Sequence, residues 1–477
     1  MYIAKPTDLI HSSLYFLCQI WHDDALLIRP RLLMSMRWTQ LLSPARLGSR
    51  KYHTEQARSP FHKDYDRIIF SQSFRQLNRK TQVHPLTQND GVHTRLTHSL
   101  EVSCVGRSLG MLAAEKIVGD LPPWVTPSDF GAIIQAACLA HDIGNPPFGH
   151  AGEYAVRDWF GQPKQAHLME LLSPKEFSDL CQFEGNAQGF RILTRLEYHP
   201  DDGGMRLTYA TLGAFLKYPR LAVSLEDQVG KPSHKRTKFG CYQSERELLN
   251  EVAEQLGLIK LSEDSYCRHP LAYLLEAADD ICYALIDLED GLLLGMLHYA
   301  EVEPLFLKLI GDYGTPSEVL RDVPMTQKLA ALRGRAMKRL VEEVSQAFKN
   351  KQTELLDGTL KGSLLDHCPR DICEGIEAAK NLTRTRIFTN PQKARLELVA
   401  SASLHVLLGS LMPLALNREA ETFREHRLLL ILQHHGATLG KTPYENMMQI
   451  LDVITALSDH QAYALAQDIK GNRGGMV

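Results

Sequence analysis

Apolar residues return every three to four positions along most of this chain, and that period restricts the fold more than any other feature. It is plain in "SLEVSCVGRSLGMLAAEKIV" (99–118), "FGAIIQAACLA" (130–140), "LAYLLEAADDICYALIDLEDGLL" (271–293) and "LRGRAMKRLVEEVSQAFK" (332–349). Alternating patterns that would mark half-buried strands are scarce. "RLTYATLGAFLKY" (206–218) admits either reading, and we read it as helix. The expected fold is therefore all-α. Its apolar share of 44% is enough to bury a true core.

Length alone, 477 residues, allows two to four domains. Pro and Gly cluster at 119–129, 199–204 and 230–240, with no internal repeat. The basic stretch "GKPSHKRTKFG" (230–240) reads as a solvated loop. We expect an N-terminal extension at 1–50, a core at 51–300, and a helical C-terminal region at 301–477 packed on that core. Residues 1 to about 33 read as peripheral, with Met34 and Met36 as alternative starts. They are interrupted by charge and lack the basic lead of a signal peptide.

The formal net charge of −3 exerts no general pull on nucleic acid or membrane. An anionic substrate must be met by local cations. Nine cysteines without a CxxC spacing suggest reduced thiols in the cytoplasm. No apolar run is read as long enough to span a bilayer.

The chemistry concentrates in "CLAHDIGNPPFGHAGE" (138–153). Neighbours on a helix point about 100° apart, so His141 and Asp142 can converge on one ion only near a helix end. Gly144 and Pro146-Pro147 supply that end. His98 in "TRLTHSLEV" and Asp279 in "LLEAADDICYALIDLED" also interrupt apolar helices. A buried carboxylate there is costly unless it is paired or binds metal. Together His98, His141, Asp142 and Asp279 make a His₂Asp₂ set. Mixed imidazole and carboxylate suits Mn, Fe, Ni, Co or Zn, whereas Mg prefers more oxygen. The sequence does not choose among them.

The order H…HD…D resembles the HD-domain phosphohydrolases. "DRIIFSQSFRQLNRKTQV", "HTRLTHSLEV", "HDIGNPPFGHAGE", "FEGNAQGFRIL" and "EAADDICYALIDLEDG" are similar, in that order, to blocks of the deoxyguanosinetriphosphate triphosphohydrolases and their relatives. The resemblance covers roughly residues 50–300. It implies a helical HD core that cleaves a deoxynucleoside triphosphate (dNTP) into deoxynucleoside and inorganic tripolyphosphate. His98, His141, Asp142 and Asp279 are then the metal ligands. Asp279 is chosen over Asp280 because the family's ligand precedes a tyrosine by four residues, here Tyr283.

The resemblance also makes His150 and Glu153 the catalytic pair, as base, acid or both. Their i, i+3 spacing lets them meet on one helical turn. Gln82, Arg95, Asn186, Lys217 and Tyr218 match substrate contacts. Asp279, Tyr283 and Asp287 step by four along a helix, which would carry Tyr283 and Asp287 toward the sugar. Arg384 and Arg386 resemble a family block without an assignable contact. Relatives form homo-oligomers, often hexamers. The C-terminal third departs from the pattern, so the preferred base is left open between dGTP and a broader dNTP range.

Two other readings stand beside this one. Another HD phosphohydrolase, acting on a cyclic nucleotide or an alarmone, is opposed by "IGNPP" where alarmone hydrolases carry further acids. A low-turnover regulator that binds nucleotide or single-stranded nucleic acid would keep the same fold.

Overall fold

The computed structural model describes residues 35–49, 58–82, 91–197, 203–225, 237–312, 323–416 and 421–472. The segment 1–33 and most of the basic loop 230–240 lie outside the described residues. The protein is mostly helical, with a single two-stranded antiparallel sheet (Lys260–Ser262 with Ser265–Tyr266) among the described residues.

The helices that shape the site are α1 (Pro60–Ile69), α2 (Arg95–Lys116), α3 (Pro127–Ala140), α4 (His150–Phe160), α5 (Gly185–Arg191), α6 (Tyr209–Phe215), α7 (Pro270–Leu293), α8 (Met325–Asn350), α9 (Arg370–Thr383), α10 (Pro391–Leu411), α11 (Pro443–Ala456) and α12 (Asp459–Lys470). Their ends follow local chemistry. Thr94 caps α2 and Thr126 caps α3, each in a reciprocal capping box, and Pro127 opens α3 where its missing N–H is not needed. The stretch 206–218 forms α6, a helix as its period suggests.

Helices α2 and α3 pack very closely. A Cβ on Gly110 would lie 2.9 Å from the Gly131 Cα, so the contact requires glycine on both sides. α1, α6, α7 and α8 pack around this pair.

Buried apolar side chains form two clusters. The first joins α1, α2, α3, α6 and α7 to α8 and α9, through residues such as Phe130, Phe190, Phe306 and Phe348. The second joins α4 to α10, α11 and α12, through Trp159, Phe160, Leu404, Leu408, Met447 and Leu451. The chain after 300 therefore divides: up to Ile387 it belongs to the first cluster, and from Ala400 to the second.

The segment Pro391–Ala415 corrects one sequence expectation. By length and composition it could cross a membrane, with a mean hydropathy of 1.7 over its most apolar stretch. The run 398–415 contains no Asp, Glu, Lys or Arg, but Ser, Gly and His dilute its apolar look. Half of it is buried inside the protein, with Ala400, Leu404, Leu407, Leu408 and Leu411 facing the second cluster. It packs as a core helix.

Two helices run into wider π-type turns: Ile192–Leu196 after α5 and Arg384–Phe388 after α9.

Candidate active site

α3 ends at Ala140, and His141 is its cap residue. The His141 Nδ1 lies 2.7 Å from the Cys138 carbonyl, which turns Nε2 to the site. Gly144 then takes φ +102°, and a Cβ there would sit 2.1 Å from the Gly189 nitrogen. Only glycine lets α5 approach the turn so closely. His98 arrives from the first turns of α2 and Asp279 from α7.

The ligand atoms of His98, His141 and Asp279 lie within 4.8 Å of one another. His98 Nε2 is 3.3 Å and His141 Nε2 3.6 Å from Asp279 Oδ1. Asp142 stands beside them, its Oδ1 3.7 Å from His141 Nε2. That Oδ1 accepts from Arg95 Nη1 and Asn145 Nδ2, both at 2.7 Å. The other oxygen, Oδ2, is buried without a hydrogen-bond partner among the described residues. An orphaned buried carboxylate oxygen next to two imidazoles and a second carboxylate fits a divalent cation.

Burial works to raise the Asp279 carboxyl. The imidazoles of His141 and His98 and the Lys217 ammonium outweigh it and hold it well below its ordinary range. Burial likewise opposes ionisation of Asp142, and Arg95 leads the groups that keep it low.

His150 opens α4, and its side chain is 69% exposed. Its Nδ1 lies 2.8 Å from Glu153 Oε2. Glu153 is buried, and its Oε1 accepts from the Gly185 N–H at 2.8 Å. Burial would raise the Glu153 carboxyl, but His150, Arg157 and Lys238 hold it down, so it remains an anion under the imidazole. Nε2 is the nitrogen left to exchange a proton.

Both groups face one cavity of about 460 Å³. His141, Asp142 and Asp279 line it, and so do His150 and Glu153. So do Gln82, Arg95, Asn186, Lys217, Tyr218 and Tyr283. His98 is buried behind that wall, at 1% exposure. Asp287 does not line the cavity: it is 2% exposed, with one oxygen unpartnered among the described residues. The geometry of a helix explains it. Steps of four residues drift about 40° each, so eight residues turn a side chain about 80° and move it roughly 12 Å along the axis. Arg95 also differs from expectation, because its guanidinium is engaged with Asp142. Its Nε is buried and unpartnered among the described residues.

The cavity adds residues that sequence reasoning missed: Asn145, Lys238, Phe388, Lys393 and Glu397. Lys238 lay within the basic stretch read as a solvated loop, although it is largely buried. Burial disfavours the Lys217 and Lys238 ammonium groups, yet nearby acidic and phenolic groups raise both and keep them charged. Phe388 stands 6.2 Å from the Tyr283 ring, and Lys393 pairs with Glu397. Arg384 and Arg386 turn instead toward Glu377 and Glu301. A second cavity, of about 500 Å³, holds none of the expected residues. Its buried Arg191 is neutralised by Asp452 and Glu245.

Residues 95–203 match the family model of the HD domain. HD domains are metal-dependent, and the His/Asp cluster is in place, so fold and site define an HD-domain phosphohydrolase. A "Deoxyguanosinetriphosphate triphosphohydrolase-like protein" of Pseudomonas aeruginosa is 47% identical over 445 residues, covering 91% of this chain and 99% of the relative. A like-named protein of Synechocystis is 39% identical over 91% of this chain and 99% of the relative. The "Deoxyguanosinetriphosphate triphosphohydrolase" of Klebsiella pneumoniae is 34% identical over 76% of this chain and 79% of its own length. The chain belongs to the deoxyguanosinetriphosphate triphosphohydrolase-like family.

Proposed function

We propose that this protein hydrolyses deoxynucleoside triphosphates, dGTP among them, to deoxynucleoside and inorganic tripolyphosphate. The observation that carries the reading is one cavity that joins the His98–His141–Asp279 cluster, with Asp142 beside it, to a carboxylate-supported histidine.

His98, His141, Asp142 and Asp279 would hold the divalent ion, for which Mn, Fe, Co, Ni or Zn suits the donors better than Mg. Bound there, such an ion polarises a phosphoryl oxygen and lowers the pKa of water. Arg95 and Asn145 fix Asp142 through its Oδ1. Lys217 and Lys238 offer positive charge to the phosphates. Tyr283, Gln82 and Asn186 line the space for sugar and base. Phe388 offers a stacking face, and Glu397 an acceptor for a base that carries ring N–H groups.

Water adds at the α-phosphorus and the bond to the 5′-oxygen breaks. His150 exchanges at Nε2 the proton that water loses or the 5′-oxygen gains, while Glu153 holds Nδ1 and favours the imidazolium. The substrate class and a cysteine pattern without a CxxC spacing support a cytoplasmic enzyme. Resemblance supports a homo-oligomer, which light scattering of the purified protein would measure.

The test is incubation of metal-loaded protein with each of the four dNTPs and separation of the products by ion chromatography. Tripolyphosphate is expected. Pyrophosphate or orthophosphate as the first product would overturn the reading.

A further inference from the structure

Lys80 and Asp459 are 379 positions apart, yet both are buried at one spot behind the cavity, with exposures of 3% and 2%. Neither touches the cavity, and the chemistry above uses neither. A buried ammonium and a buried carboxylate are costly unless their hydrogen-bonding needs are met. Here they are met almost wholly by backbone. Lys80 Nζ donates to the Asn145 carbonyl at 2.7 Å and to the Thr455 carbonyl at 2.5 Å. Asp459 Oδ1 accepts from the Phe148 N–H at 2.7 Å, and Oδ2 from the Thr81 N–H at 3.0 Å. The Lys80 carbonyl in turn accepts from the Arg95 N–H at 3.0 Å, at the start of α2.

The segment held between them is the short turn that separates Asp142 from His150. Asn145 bonds the Asp142 carboxylate directly. Phe148 is one of two non-glycine residues with positive φ among the described residues, at +66°, and Gly149 follows at +58°. A Cβ on Gly149 would lie 2.3 Å from Arg95 Nη2, so the turn lies hard against the arginine that holds Asp142. Left-handed backbone at a bulky residue persists only where its surroundings impose it. The bond from the Phe148 N–H to Asp459 is such an imposition.

We propose that Lys80 and Asp459 are positioning residues that clamp the Asn145–Gly149 turn between the start of α2 and the α11–α12 junction, and so set the Asp142 carboxylate and the His150 imidazole at their working separation. Helices α11 and α12 thereby act on the reaction without lining the cavity. The inference rests on the hydrolase reading for its kinetic arm alone.

The test uses the full-length, metal-loaded protein. Asp459→Asn keeps the side-chain volume and replaces one acceptor with a donor. Amide hydrogen exchange in the peptide covering 143–150 should quicken roughly tenfold while that of α3 and α7 holds. On the best dNTP, kcat per bound metal should fall about tenfold or more, with KM within about threefold. Wild-type exchange at 143–150, or wild-type kcat per bound metal, overturns the proposal, as does faster exchange spread evenly over the chain. Should Asp459→Asn not yield folded protein, Lys80→Met is read by the same criteria, since it removes only the ammonium and leaves both Asp459 bonds. If the wild-type protein releases no tripolyphosphate from any dNTP, the hydrolase reading fails, while the exchange measurement still decides the clamp.

Discussion

The two walls of the cavity are built on opposite terms. The ligand wall, drawn from α2, the end of α3 and α7, is mostly desolvated: the side chains of His98, His141, Asp142 and Asp279 are 2%, 10%, 8% and 26% exposed. The other wall begins with His150, more than two-thirds exposed, on a helix rooted in the other apolar cluster. An ion site gains from desolvated donors whose geometry is fixed before the ion arrives. A proton carrier must reach solvent and substrate and must reprotonate on every turnover. Placing them on different packing units lets each have its own environment within one cavity.

The largest effect should come from the ligand wall. His141→Ala or Asp142→Ala should remove bound metal and activity together, as read by elemental analysis beside kinetics. A variant that keeps full metal and full turnover would break the contrast. His150→Ala should retain the metal and lose on the order of 10²–10⁴ in kcat. Loss of metal in this variant would mean that the walls are not separable.

Lys217→Met should act on binding, raising KM roughly 10- to 100-fold, the range for one lost charged hydrogen bond. An unchanged KM would remove Lys217 from phosphate recognition.

The smallest effect sharpens the comparison through pH. Burial pushes the Asp179 carboxyl up to about 8, against the Gln243 N–H and the Tyr444 hydroxyl that it accepts from. The folded chain thus binds a proton that the unfolded chain, with an ordinary value of 3.8, releases. Its contribution to stability is complete below that value and is lost as pH rises to about 8. The melting temperature of wild type should therefore fall by a few degrees between pH 5 and 8 relative to Asp179→Asn. Parallel curves would show that Asp179 does not titrate in this window.

The ligand wall was legible in the sequence because its residues violate their surroundings. A histidine or aspartate on an apolar helical face stands out, and Gly144 with two prolines marks where the helix must stop. The contact of His150 with Glu153 was legible by spacing, since i, i+3 neighbours meet on a helix, whereas their role came from the resemblance. Asp287 misled because a step of four is not a whole turn, and the error doubles over two steps. Lys238, Lys393 and Glu397 carry no local mark. They reach the cavity because chain distant in sequence folds back over α4, and helical period says nothing about which distant segments meet. The change of cluster between Ile387 and Ala400 was hidden for the same reason, because both sides of it read as amphipathic helix.

The wide turn at Arg384–Phe388 has a consequence for how this family can diversify. A π-type turn holds one residue more than an α-turn. Deleting that residue while keeping the flanking helices would rotate the position of Phe388 by about 100° about the axis, withdrawing its ring from the cavity lining. The proposed metal ligands, on α2, on α7 and just past the end of α3, would be untouched. A change of chain length at this one place can therefore change the lining of the cavity and leave the His/Asp cluster as it was.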